Sequence, residues 1–80
     1  LINDPKLNAK LGPAISQLRK EYPQPRATLD ELFLRTLSRF PSKKERTFCL
    51  KAIAEAEEAQ QGWQDILWAL LNSREFVFNH

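Results

Sequence analysis

The sequence is short of the residues that make chemistry easy. It holds one cysteine, Cys49, and one histidine, His80. A lone cysteine excludes an internal disulfide and every paired-cysteine metal or haem motif. With so few thiol and imidazole ligands, a zinc centre has too few donors. Two glycines and the lack of long β-branched runs argue against an all-β fold. No apolar run approaches the roughly 18 residues that a membrane span requires, and no secretory leader pattern is visible. Methionine is absent and the chain opens on Leu1, so we read it as an excised piece of something longer. A dominant charge is lacking too. Against 12 basic residues stand 10 acidic ones, a net +2, which is too balanced to demand a nucleic-acid or membrane partner.

What is present is helical patterning in 80 residues, enough for one domain at most. A chain this short buries only about 60% of its unfolded surface and needs a dense core. The densest stretch is Ile66-Leu67-Trp68-Ala69-Leu70-Leu71. Trp63-Gln64-Asp65 precedes it and places an acid where a helix dipole favours one. At the helical period Trp63, Leu67, Leu70, Leu71 and the stem of Arg74 share one side. Ile66 and Trp68 sit on opposite shoulders, about 200° apart. Such a helix must meet neighbours on more than one side. At roughly 1.5–3 kcal/mol per buried large side chain, it is expected to carry the largest share of the core. Trp63 and Trp68 point about 140° apart. One can therefore be core while the other lies near the surface, where an exposed Trp68 would be an interface anchor.

The rest of the chain is arranged upstream. Asp4-Pro5 starts a first turn, which Gly12-Pro13 breaks or restarts. Ala14 to Lys20 reads as a short helix with Ile15 and Leu18 inward and Leu11 beside them. Tyr22-Pro23-Gln24-Pro25 has extended linker chemistry. Residues 1–26 are therefore predicted as an N-terminal arm with a proline-rich linker, and 27–80 as the compact domain. Thr28-Leu29-Asp30-Glu31 reads as a capping box. It opens a helix to about Ser38, with Leu29, Phe33, Leu37 and Phe40 inward and Leu32 at the edge, ended by Pro41. Ser42-Lys43-Lys44-Glu45 is a second capping box and makes a helix–turn–helix corner. The third helix carries Cys49, Ala52, Ile53 and Ala56 on one face and Phe48 at its edge. Glu55, Glu57 and Glu58 are solvated, and Gly62 is the natural stop. Phe76 and Phe78 are final apolar anchors. The predicted fold class is all-α: a small helical bundle of three main helices plus a short N-terminal helical arm. Its structural residues are Phe33, Leu37, Phe40, Ile53, Ile66, Leu67, Leu70, Leu71 and Phe76.

Candidate chemistry is sparse. Arg35, Arg39, Lys43, Lys44 and Arg46, with Lys51, straddle the corner and raise nucleic-acid binding. Glu45 and the later glutamates oppose it, and the even charge is poor footing for counterion release. Ser73, Asp65 and Cys49 can be drawn with His80 as a triad or dyad, but no spacing supplies a base within reach or an oxyanion donor. Cys49 reads as a small buried hydrophobe. Arg39 beside Phe40, and Arg74 beside Glu75-Phe76, each place a cation at a helix end next to an aromatic ring. The simple reading is dipole complementation and stem packing. The functional one is a docking patch of Arg39, Trp68, Arg74 and Phe78. No catalytic residue, cofactor, metal or small-molecule substrate is expected.

Two segments resemble a known group. Asp30-Glu31-Leu32-Phe33-Leu34-Arg35-Thr36-Leu37-Ser38-Arg39-Phe40-Pro41-Ser42 is the first. Asp65-Ile66-Leu67-Trp68-Ala69-Leu70-Leu71-Asn72-Ser73-Arg74-Glu75-Phe76-Val77-Phe78-Asn79-His80 is the second and more specific. In this order they resemble the C-terminal end of large planctomycete-type exported proteins of unknown function. Those proteins often carry a cytochrome-c-like domain upstream. The resemblance implies export, to the periplasm or cell surface, and a place beside other domains. It implies no haem site, because the paired-cysteine haem motif is missing here. The leading expectation is a non-catalytic C-terminal helical module that packs against other domains of its parent or docks a protein partner. The alternative is a small nucleic-acid-binding domain using the basic corner.

Overall fold

Four amphipathic segments become four helices: α1 (Pro5–Glu21), α2 (Pro25–Leu37), α3 (Lys43–Glu55) and α4 (Ala59–Leu71). The structure, a computed structural model, describes residues 5–73. The all-helical expectation holds, with no strand among the described residues. Each of α2 and α4 packs on all three other helices, whereas α1 and α3 do not pack on each other. The architecture is thus a central pair flanked on two sides. Arg74, Phe76, Phe78 and His80 lie outside the described residues.

The central pair supplies most of the buried apolar surface. From α2 come Leu29, Leu32, Phe33 and Leu37; from α4 come Trp63, Leu67 and Leu70. Ile66, Trp68 and Leu71 are half-buried against this core. The apolar run in α4 therefore does face several neighbours, as its wide stripe predicts. Among fully buried apolar side chains α2 has four and α4 three; with the half-buried Ile66, Trp68 and Leu71 included, α4 supplies six members of the core to four from α2. Removing the Phe33 ring would cost about 3–5 kcal/mol, a large part of what so short a chain can hold.

The N-terminal segment is not a short arm. Leu11, Ile15 and Leu18 recur at helical spacing and are all buried in the same core. That stripe runs straight across Gly12-Pro13, and the helix continues with Pro13 inside it. Tertiary contact overrides the local propensity to break. Gln60 of α4 donates to the Gly12 carbonyl at 3.0 Å and accepts from Arg19 at 2.9 Å, which pins α1 along its length.

Three local readings are corrected. The first capping box does not form. Pro25 takes the first helical position, with Gln24 as the extended cap residue, because proline's fixed φ suits that site. Thr28 then falls inside the helix. Its buried hydroxyl donates to the Tyr22 carbonyl at 2.6 Å and lies 3.3 Å from that of Gln24. It fastens the end of α1 to the start of α2. The second correction concerns Phe40, which is 60% exposed. Helix α2 ends at Leu37, close to the expected Ser38, and Ser38 itself turns left-handed at φ 60°. Phe40 thereby leaves the helical register that would have aimed it inward. The third is Gly62, which does not stop a helix. It is buried inside α4, and a Cβ there would lie 3.1 Å from the Ala56 Cβ and 3.6 Å from the Ile53 Cα. Glycine lets α4 approach the end of α3, which itself stops at Glu55 with Ala56 extended. The Ser42–Glu45 box forms as predicted, with Glu45 N–H donating to Ser42 Oγ at 3.1 Å and Ser42 N–H to Glu45 Oε1 at 2.8 Å.

Two substitutions check this account. Ser38→Gly is expected to stabilise the chain by roughly 0.5–1 kcal/mol, because glycine enters the left-handed region without a Cβ penalty. Gly62→Val is expected to destabilise it by about 1–3 kcal/mol through overpacking at the α3–α4 crossing. Urea unfolding midpoints measure both, and a reversed sign at either site contradicts the assigned geometry.

Candidate functional site

The corner between α2 and α3 holds most of the residues singled out for function. Its arginines are turned toward carboxylates. Arg39 donates to both oxygens of Glu45, at 2.8 and 3.0 Å, and to the Phe40 carbonyl at 3.0 Å. Its guanidinium carbon also lies 5.6 Å from the centre of the buried Phe33 ring, a cation–π contact. Arg46 donates to Asp30 at 2.8 Å and ties α3 to α2. Its Nε is buried without an acceptor, which offsets part of that gain. Arg35 pairs with Glu31 one turn away at 3.0 Å, and the hydrogen bond it donates to that carboxylate raises its pKa. Arginine forks of this kind match a carboxylate bidentately. The Arg39 and Arg46 pairs hold the corner together, whereas Arg35–Glu31 is a pair within α2 whose arginine is largely in solvent.

The lysines behave differently. Lys43 and Lys44 are exposed and make no ion pair among the described residues. Lys51 meets Glu55 only at 3.9 Å, with both side chains largely in solvent, a pair of little energetic weight. Together with Thr47 and Phe48 these lysines line a shallow, open groove along the outer face of α3, with no other element forming a wall. Phe48 stands 74% exposed in it. Helix α3 as a whole has no fully buried residue. Cys49, Leu50 and Ile53 are half-buried on its inner side, whereas Ala52, expected to face inward, is exposed. Burial pushes the Cys49 thiol upward from its ordinary pKa, which makes it a poor nucleophile.

Sequence reasoning put Phe48 at an edge and did not select it. Its signal was present: on a helix, Lys44 and Lys51 lie one turn to either side of Phe48. Of the expected docking patch, Arg39 sits at the corner in its ion pair and Trp68 is half-buried against the core; Arg74 and Phe78 lie outside the described residues.

Two other cavities open among the described residues. One, of about 390 Å³, opens where α1, α2 and α4 meet, around Arg19, Lys20, Thr28, Gln60 and Trp63. Its lining has no carboxylate, imidazole or thiol, and Arg19, Gln60 and Thr28 are already hydrogen-bonded within the fold. A general base and nucleophile therefore do not meet there. The other, of about 400 Å³, lies beside Glu57, Glu58 and Asp65. No group of three metal-ligating side chains forms among the described residues, and no helix described is long and apolar enough to cross a membrane. Compared with family models, curated proteins and solved structures, the chain finds no match in any of the three.

One carboxylate at the corner is held well below its ordinary range. The hydrogen bond from Arg39, with that from the Ser42 backbone, lowers the Glu45 pKa from 4.5 to about 2. The folded value is below the unfolded one, so this contribution is full above the unfolded pKa and is lost as pH falls toward the folded one. Native stability followed by urea midpoint is expected to decline across that window. Glu45→Gln should lower stability at neutral pH and make the acid decline shallower. Parallel curves for the two proteins would contradict the assignment.

Proposed function

We propose that this chain is a non-catalytic docking module, the C-terminal helical part of a larger exported protein, which holds another domain of that protein or a protein partner. The observation that carries the reading is the state of α3. It is packed by its inner side, buries no residue completely, and presents Phe48 to solvent at 74% exposure, while Phe40 stands at 60% on the corner leading into it. Apolar surface that the chain itself leaves uncovered is what a partner would bury on docking. The absence of a cavity that joins a nucleophile to a base, among the described residues, favours binding over catalysis. The resemblance of the second segment to exported proteins supplies the export and the neighbouring domains. Nucleic-acid binding is the weaker reading, since Arg35, Arg39 and Arg46 already pair with Glu31, Glu45 and Asp30.

The test uses the longer protein that carries this chain. Replacing Phe40 and Phe48 together by serine is expected to leave the isolated chain folded, with a change in stability of roughly 0.5 kcal/mol or less per site, as for ordinary surface positions. The same pair of changes should abolish co-purification of the protein's partner or release the neighbouring domain to limited proteolysis. Unchanged partners and unchanged proteolysis, with the fold intact, would overturn the docking reading.

A further inference from the structure

Within the outer face of α3, one apolar feature is framed by like charges. Phe48 lies one turn from Lys44 on one side and one turn from Lys51 on the other, and Lys43 and Thr47 close the groove. The lysine stems make an apolar wall and keep their ammonium groups in water. No carboxylate lines the groove. We infer that this groove binds a short acidic peptide segment of an extended partner, with an aromatic or aliphatic side chain packed on Phe48 and a carboxylate on each flanking lysine. The inference rests on the docking reading and names the partner's chemistry.

Charge and spacing select this occupant. Lys44 and Lys51 are seven residues apart, about 10 Å along a helix at its usual rise. An extended chain covers that distance in about three residues. The matching segment therefore carries acidic residues three positions apart with an apolar residue between them. A long uniform polyanion fits less well. The positive strip ends at Glu55, and exposed Glu57 and Glu58 follow, so a nucleic acid or an anionic leaflet extending past Lys51 meets like charge. Glu45, at the other end, is neutralised by Arg39 and does not repel a short segment.

The full chain is titrated by fluorescence anisotropy with a labelled peptide, Ser-Glu-Leu-Phe-Glu-Ser, and with the same peptide bearing glutamine for glutamate. Vesicles of equal parts phosphatidylcholine and phosphatidylserine and a single-stranded oligothymidine form separate arms. The acidic peptide should bind, weaken as salt rises, and lose roughly tenfold or more in affinity with Phe48→Ser, as an anchor residue does. The charge reversals Lys44→Glu and Lys51→Glu should weaken it as well, and the glutamine peptide should bind poorly. Far-UV circular dichroism of each variant confirms that it folds. Equal affinity for both peptides, binding indifferent to these substitutions, or binding confined to vesicles or oligothymidine would overturn the inference. Failure here, with partner loss still seen in the Phe40 and Phe48 serine variant of the longer protein, leaves docking intact and discards only the acidic segment. Failure of both removes both.

Discussion

The fold depends on the burial of α2 against α4. Among the described residues, these two helices contribute seven of the ten side chains of the hydrophobic core, and α1 adds the other three. Hydrophobic burial is non-directional and scales with area, so the pair acts as a slab on which other elements settle. Helix α1 settles through Leu11, Ile15 and Leu18 and through the Gln60 hydrogen bonds. Helix α3 settles by its half-buried Cys49, Leu50 and Ile53, with Gly62 allowing the close approach.

This unequal sharing of the core gives the surface its character. A helix with nothing fully buried relies on polar fastenings as well as on its half-buried inner side. At the N-terminal end of α3, the Ser42–Glu45 box satisfies free backbone donors, and the same carboxylate receives Arg39. Arg39 in turn lies against the Phe33 ring, so the corner is connected to the centre of the core. The Arg46–Asp30 pair fixes the same helix to α2. With the arginines serving the corner, the lysines and Phe48 are left facing water. Positioning and exposure are thus divided between the two basic residue types, in keeping with the arginine fork's fit to carboxylates and the lysine's solvated point charge.

Much of this was legible in the residues. Leu29, Phe33 and Leu37 announce their face by spacing alone, and Ser42-Lys43-Lys44-Glu45 announces a helix start because the motif closes on itself. The Thr28–Glu31 pattern is equally good on paper. It lost to Pro25, whose ring had already begun the helix three residues earlier. Gly12-Pro13 misled for the opposite reason: a local breaker was outweighed by contacts made with α4, far along the chain. Phe40 was misplaced by extending the helical spacing of Leu29, Phe33 and Leu37 past the end of the helix, where Ser38 turns the chain left-handed. Gly62 was taken for a boundary although its missing Cβ answers to a neighbour across the crossing. The exposed face of α3 was the hardest to see, since exposure of Phe48 depends on which side of α3 the slab takes up. Leu50 and Ile53 turn inward and Ala52 does not, and periodicity among so many alanines leaves that choice open.

The central claim is that α2 and α4 form the cooperative heart of the chain and that α3 is a peripheral helix with a free outer face. Native-state hydrogen exchange tests it most directly, because it ranks each helix by the free energy of its opening. The account predicts that amides of Leu32, Phe33, Leu67 and Leu70 exchange only through global unfolding. Amides of Phe48, Cys49 and Leu50 should exchange through a smaller, local opening. Equal protection of α3 and α2, or faster exchange in α4 than in α3, would contradict it.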